Sequence, residues 1–251
     1  MLVQSIYKKI ITCVILGLTL SALFLMLGNG GNVPLFPPLL VFTLVGLSLF
    51  GAIIFPFTWQ YFEREHKMFS LQIYGVFYFL IRYSIAFNIA CFGWKKLFGL
   101  QFVVPIDIAA LPMNQQSGEW LTWYYFGHSF VFGIVLSLFQ IDGAFLLLFR
   151  RTLLLGSIIL FAFMFNLTLI NIFYQMNVGA LIQSIILTLG ILFLILLDYK
   201  RLVQFFLKAK NELPSIKMKS TLSKNLVRFS VILFSLLFTW YLKSLMDSGM
   251  K

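Results

Sequence analysis

"LSLFQIDGAFLLLFRRTLLLGSIILFAFMF", residues 136–165, contains two apolar runs separated by a pair of arginines. With its flanking residues, each run is long enough to cross the hydrocarbon core of a bilayer, which takes about 20 residues of helix. Arg150 and Arg151 lie between the runs, as basic residues do in the short loops of membrane proteins. The stretch therefore predicts two membrane helices joined by a short turn.

Asp142 is out of place in this stretch. A carboxylate near the centre of a membrane helix costs about 2.5 to 3.5 kcal/mol on insertion scales. The third apolar run of the chain contains Arg82, and both residues lie about 10 Å from the same end of their runs at 1.5 Å per residue. We therefore expect Arg82 and Asp142 to form an ion pair inside the membrane. The alternative is that Arg82 extends towards the lipid head groups.

The composition of the whole chain agrees with a membrane protein. Of 251 residues, 61% are hydrophobic and 11% are charged, whereas soluble domains carry about 25% charged residues. The mean hydropathy is +0.95. The net charge of +11 does not indicate a nucleic-acid partner, because most basic residues fall between apolar runs. Cys13 and Cys91 lie in apolar runs without the spacing of a redox or metal pair.

Seven apolar runs are long enough to cross a membrane. The first lacks a convincing cleavage site, so we interpret it as an uncleaved span. Prolines at 34, 37 and 38 mark the first connection, and Pro56 is expected to kink or end the second span. The runs cover residues 10–27, 39–59, 75–94, 129–149, 153–173, 178–197 and 229–246.

The distribution of basic residues predicts the orientation. If the N-terminus is cytoplasmic, fourteen of the nineteen basic residues lie on the cytoplasmic side and four lie on the other side. Cytoplasmic loops carry an excess of lysine and arginine. We therefore expect a multi-pass protein of the bacterial inner membrane, with the N-terminus cytoplasmic and the C-terminus outside.

Two connections have distinctive compositions. The outer loop 101–129 contains "EWLTWYYF" (119–126), which is typical of a segment at the membrane interface. The alternative is a cover over a pocket. The inner segment 199–228 begins with "YKRLVQFFLKAK", which suits an amphipathic helix on an anionic inner leaflet.

Polar side chains recur on the third and fifth runs, at spacings that place them on helix stripes. Together they predict a polar chamber that opens outwards and is closed inwards by Asp142 and Arg82. The alternative is that the amides link helices to one another. The other candidate residues of the chamber are Asn88, Lys96, Asn171 and Tyr174.

Motifs that would define an enzyme are scarce. The sequence contains no GxSxG, HExxH, P-loop or dinucleotide fingerprint, and no metal site is predicted. His66 and His128 fall on opposite sides of the membrane in this topology, so they cannot share a haem. At the outer interface, His128 is the candidate for proton or quinone chemistry.

Three segments together resemble the DoxX-like membrane proteins, which are four-helix bundles: "RYSIAFNIACFGWKKLFGLQF" (82–102), "FQIDGAFLLLFRRTLLLG" (139–156) and "NLTLINIFYQMNV" (166–178). Family members carry an arginine opening the first helix, Gly-x-x-Lys near its end, an acidic residue followed by glycine, "RRT", and Asn-x-x-Tyr-Asp. The matching positions here are Arg82, Gly93 with Lys96, Asp142 with Gly143, Arg150 to Thr152, and Asn171 with Tyr174.

The resemblance implies an organisation of the chain. It covers about residues 75–207, and it departs from the family at Asp142, where glutamate is common, and at Gln175, where aspartate is common. We expect two membrane helices over 1–68, a DoxX-like four-helix bundle over 69–207, and a basic cytoplasmic linker with a final membrane helix over 208–251.

The first functional hypothesis is an accessory or small-molecule-binding subunit of a membrane redox or envelope enzyme. No cofactor is required by it. A quinone-linked oxidoreductase subunit is the alternative, with quinone as its cofactor and Lys96, His128 or Asn171 at the quinone carbonyls. A small-solute transporter is the second alternative. The expected partners are an anionic inner leaflet and a membrane protein, and no nucleic acid.

Overall fold

The helices and connections of a computed structural model are described for residues 5–28, 35–63, 67–209 and 221–249. Within these ranges the chain forms helices and no strand, and seven of the helices are long and apolar enough to cross a membrane. The prediction of an all-helical multi-pass membrane protein is confirmed. The chain divides into two compact units, Met1–Leu207 and Lys208–Lys251.

The long helices follow the predicted apolar runs closely. Pro56 does not end α2, because helices in membranes tolerate the loss of one main-chain donor. Pro34 and His66 lie outside the described residues. The helices are α1 (Ile6–Gly28), α2 (Pro38–Glu63), α3 (Lys67–Leu97), α4 (Ile106–Ala109), α5 (Gly118–Gly127), α6 (Phe130–Leu147), α7 (Leu153–Phe173), α8 (Val178–Leu197), α9 (Tyr199–Val203) and, in the second unit, α10 (Thr221–Gly249).

The core of the first unit is a four-helix bundle of α3, α6, α7 and α8, with α1 packed against α3 and α8. Each of these helices contributes fully or nearly fully buried apolar side chains, because their apolar faces meet where lipid cannot enter. Examples from the five helices are Leu16, Ile85, Leu147, Leu160 and Leu187.

Glycines allow several helix pairs to approach closely. A Cβ atom added at Gly93 of α3 would lie 3.1 Å from the carbonyl oxygen of Ser137 on α6. One added at Gly17 of α1 would lie 2.5 Å from the Cβ atom of Ala52 on α2. Small residues at such crossings let membrane helices pack by van der Waals contact.

A connection of more than thirty residues joins α3 to α6 and contains α4, a 3₁₀ turn at Met113–Gln115, and α5. We call the end of the bundle that carries this connection the long-loop end. Ser117 caps α5 by accepting a hydrogen bond from the main chain of Trp120. The next residue, Gly118, leaves room for the carbonyl group of Tyr174, which would lie 2.6 Å from an added Cβ atom. The connection is therefore held against the end of α7.

The predicted amphipathic helix in the inner segment is shorter than expected. The helix α9 ends at Val203 and is followed by a π-helical turn, Gln204–Lys208. Residues 210–220 of this segment lie outside the described residues.

A buried polar cluster joins α1, α2 and α3 at the opposite end of the bundle. Lys9 pairs with Glu63 and donates to Gln60 Oε1 at 2.6 Å. Its ammonium also lies 5.5 Å from the centre of the Trp59 ring, and Trp59 Nε1 donates to Ser70 Oγ at 2.9 Å. We call these five residues the Lys9 clamp. Sequence patterns assigned Lys9 only to the topology signal, because its partner lies more than fifty residues away.

Candidate functional site

A cavity of about 550 Å³ opens at the long-loop end of the first unit. It lies between the ends of α1, α2, α3, α6, α7 and α8 that face the long connection. We call it the Lys96 cavity. Its polar lining residues are Lys95, Lys96, Gln101, Gln140, Asn171, Asn177, Gln183 and Ser184, and its apolar ones include Leu25, Met26, Val41, Phe42, Met164, Leu167 and Leu187.

Lys96 is held in the cavity wall by neutral groups. Its Nζ atom donates to Gln140 Oε1 at 2.8 Å and to the carbonyl oxygen of Phe92 at 3.4 Å. The same atom lies 5.9 Å and 5.7 Å from the ring centres of Phe92 and Phe102. An ammonium has three hydrogens to donate. Two acceptors from the described part of the chain therefore leave one of these hydrogens available to a ligand of the cavity.

A set of amides forms the deeper wall of the cavity. Gln183 Nε2 donates to Asn88 Oδ1 at 3.1 Å and to the carbonyl oxygen of Ala22 at 3.4 Å. Asn171 Nδ2 donates to the carbonyl oxygen of Ala180 at 3.2 Å. These bonds link α1, α3, α7 and α8, as expected for amides that tie membrane helices together. The same side chains therefore agree with both alternatives for the polar residues, because they line a cavity and also link helices to one another.

The long connection covers part of the cavity. Phe102 and Trp123 both line it, and their rings meet edge to face with centres 6.1 Å apart. Phe102 has a φ of 66°, a conformation rare for a bulky residue. In this conformation the ring of Phe102 packs against the rings of Trp123 and Phe126, and the ammonium of Lys96 lies over it. The connection therefore forms one wall of the cavity, in agreement with the alternative of a cover over a pocket.

The charge of the cavity is positive. Lys95 and Lys96 line it, and none of the described lining residues is acidic. Glu119 contacts the lining indirectly, because its Oε1 accepts a hydrogen bond at 3.2 Å from Asn177, which itself lines the cavity. Gly179 and Ala180 bring the N-terminus of α8 to the same wall. The positive end of a helix dipole adds to the field there.

The structure brings some of the predicted site residues together and separates others. Lys96 and Asn171 line the cavity, and Asn88 supports it through Gln183. His128 and Tyr174 are exposed residues that end α5 and α7, and neither lines the cavity.

The predicted ion pair between Arg82 and Asp142 is wrong. Arg82 is buried, and it donates to the carbonyl oxygen of Leu148 at the end of α6, at 3.0 Å. Its guanidinium also lies 5.2 Å from the centre of the Tyr83 ring. A cation beside the last carbonyls of a helix is favourable, which explains its position.

Asp142 is exposed because it lies on the wrong face of α6 for the pair. The buried face of α6 includes Gln140, Gly143 and Leu147. At about 100° per residue, Asp142 is rotated by roughly 200° from Gln140 and points away from the bundle. It therefore cannot close the chamber from inside.

Sequence reasoning missed Gln140 and Gln183 as site residues. Both are amides inside otherwise apolar runs, a signal of the kind that drew attention to Asn171. Across the part of the chain that the structure describes, no group of three or more histidine, cysteine or acidic side chains could hold a metal ion.

Comparison with known proteins gives a relative without a described activity. No family model matches the chain, and no solved structure matches it. A protein of Bacillus subtilis (strain 168), described as uncharacterized protein YwoB, is 33% identical over 128 residues. The aligned region covers 50% of this chain and 79% of the relative.

Proposed function

Because the chain belongs to the same family as the Bacillus subtilis protein YwoB, whose description names no activity, we propose a function from the geometry of the cavity. The protein is an accessory subunit that binds a small molecule in the Lys96 cavity and serves a membrane redox or envelope enzyme. The observation that carries this proposal is a cavity of about 550 Å³ inside a membrane bundle. That volume falls within the roughly 300 to 1,000 Å³ of small-molecule sites.

The resemblance to DoxX-like proteins supports the same function. Its arginine, lysine and asparagine positions fall on Arg82, Lys96 and Asn171, and two of these three line the cavity. The excess of basic residues on one side supports a bacterial inner-membrane protein with a cytoplasmic N-terminus. In that orientation the cavity opens on the outer side, and the basic residues of α9 face an anionic inner leaflet.

The exposed position of Asp142 supports the proposal of a membrane-protein partner. It lies exposed on α6, in line with the exposed side chains of Phe139 and Phe145. A carboxylate on the surface of a membrane helix is unfavourable against lipid and favourable against a donor from a neighbouring helix. An accessory subunit that contacts its enzyme through this face would give Asp142 a role.

Binding is tested by filling the cavity. The variant Leu167→Trp places a large ring in the lining, and Leu155→Trp makes the same change on an exposed position of the same helix. We expect a molecule that co-purifies with the wild type and with Leu155→Trp, measured by native mass spectrometry, to be lost from Leu167→Trp. Equal occupancy in both variants, or an empty wild type, would contradict the proposed function.

A quinone-linked oxidoreductase subunit is the second candidate. Lys96 and Asn171 could donate to quinone carbonyls, and Phe92, Phe102 and Trp123 supply aromatic rings to the same cavity. His128 is exposed and outside the lining, so it would not take part in this site. Extraction of the purified protein distinguishes the two candidates, since a stoichiometric quinone supports the second and its absence supports the first.

A further inference from the structure

We propose that the ligand of the Lys96 cavity is an anionic amphiphile with a single apolar chain, taken from the bilayer. A carboxylate or phosphate head group binds at Lys96, and the chain lies against α1 and α2. This inference rests on the proposed binding function and names the class of its ligand.

The head group is assigned by charge. Lys96 has only neutral partners in the described protein, Gln140 Oε1 and the carbonyl oxygen of Phe92. Lys95 also lines the cavity, and none of the described lining residues is acidic. A cation removed from water is stabilised by an anionic ligand, whereas a neutral ligand leaves its charge without a counter-charge. The cavity therefore favours an anionic group.

The apolar part of the lining indicates where the chain of the ligand lies. Leu25, Met26 and Val41 form an apolar wall where α1 and α2 meet. Beside them, Phe36 and Phe42 line the cavity and yet are 46% and 66% exposed. Phe42 lies in the second turn of α2, a helix whose membrane-spanning part is only 11% buried. The cavity thus reaches the lipid-facing surface of the bundle, where an apolar chain can enter from the bilayer.

Head and tail regions occupy different walls of one cavity. Lys95, Lys96 and most of the amides belong to α3, α6, α7 and α8, whereas the apolar wall of Leu25, Met26 and Val41 belongs to α1 and α2. Further apolar residues of α7 and α8, namely Met164, Leu167 and Leu187, line the cavity beside the amides. An amphiphile can contact both walls at once, with its head group at the lysines and its chain against the apolar wall. A free inorganic anion would leave the apolar wall unfilled, and a neutral quinone would leave both lysines without a counter-charge.

The test measures binding to the full chain in nanodiscs of zwitterionic lipid. The probe is a hexadecanoate analogue with a photoreactive group at the end of its chain. Unlabelled hexadecanoate, hexadecyl phosphate, hexadecanol, acetate, inorganic phosphate and a menaquinone compete with it. We expect saturable labelling on α1 or α2, with competition by hexadecanoate or hexadecyl phosphate at much lower concentrations than by hexadecanol.

Three variants connect the binding to Lys96. Lys96→Met should weaken hexadecanoate competition roughly tenfold to hundredfold, because a charge-assisted hydrogen bond is lost. Lys96→Arg keeps the charge and should retain most of the binding. Lys200→Met removes the same charge at an exposed position of α9, at the opposite end, and should change nothing. Thermal unfolding of each variant shows whether it is folded.

Each contrary result has a defined meaning. Equal competition by hexadecanol and hexadecanoate, or by menaquinone at lower concentration than either, would overturn the anionic head while leaving the binding function intact. Acetate or phosphate competing as well as hexadecanoate would overturn the tail. If no probe labels the protein saturably, the inference fails. The proposed function then fails with it only if the wild type also carries no co-purified molecule, or if Leu167→Trp leaves that molecule in place.

Discussion

Replacing Lys9 by methionine tests whether the Lys9 clamp stabilises the bundle. The side chain of Lys9 is 0% exposed and that of Glu63 is 6% exposed, so solvent screens their interaction little. Lys9→Met also removes the bond to Gln60 and the cation over Trp59. Breaking one partner of a buried ion pair costs about 3 to 5 kcal/mol in soluble proteins. We expect a loss of free energy of unfolding of about that size.

The double variant shows whether Lys9 and Glu63 stabilise the protein as a pair or as two independent residues. Lys9→Met with Glu63→Leu removes both charges, so it should recover much of the loss seen in Lys9→Met alone. The coupling energy should reach about 0.5 to 3 kcal/mol, as for residues in contact. The free energies are measured by steric trapping in bicelles, which reports unfolding within a lipid environment.

A second cycle on the same bundle is the matched control. Arg82 and Asp142 form no contact, so Arg82→Met and Asp142→Leu should be additive within about 0.3 to 0.5 kcal/mol. Asp142→Leu alone should not destabilise the isolated protein, because it replaces an exposed carboxylate on a membrane helix. Additive losses in the Lys9 cycle, or strong coupling in the Arg82 cycle, would refute this account of which charges hold the helices together.

Three further outcomes are expected. Gly93→Leu should destabilise the protein by about 1 to 3 kcal/mol relative to Gly133→Leu in thermal or denaturant unfolding, because only Gly93 faces a close neighbour; equal effects would contradict the close crossing of α3 and α6. A spin label at Trp120 should report a shallow membrane depth, and a position at the bilayer centre would refute its interfacial placement. Topology reporters fused after Ser248 and near Asn211 should lie on the outer and cytoplasmic sides; the same side for both would exclude the seven-span orientation.

The length of the apolar runs was sufficient to predict the spans. The predicted runs 153–173 and 178–197 coincide with α7 and α8, since polar residues or turns bound both runs sharply. The run predicted from residue 75 begins earlier, at Lys67, because a helix continues past its apolar part when its neighbours support it. The polar residues Lys96 and Asn171 also pointed to the end of the bundle at which the cavity lies.

The faces of the helices were harder to predict. α6 is apolar almost all round, so its sequence does not reveal which stripe meets the other helices. Arg82 and Asp142 were predicted to lie at equal depth in the membrane, which made them reasonable partners. Depth does not show, however, which face of its helix each residue occupies. Lys9 and Glu63 were hidden for a different reason: both lie near the ends of spans, where charged residues are expected to face water.

The two ends of α2 are held to the bundle by different forces. At its last turns, the ion pair and the Trp59 hydrogen bond fix α2 to α1 and α3. At its first turns it is held by apolar packing, such as that of Val41 on Gly28. Apolar contacts are non-directional and can slide, whereas a buried ion pair cannot shift without loss. If the cavity binds a molecule as proposed, we expect substitutions near Val41 to change the rate at which it leaves, and substitutions at Lys9 to change the stability of the bundle.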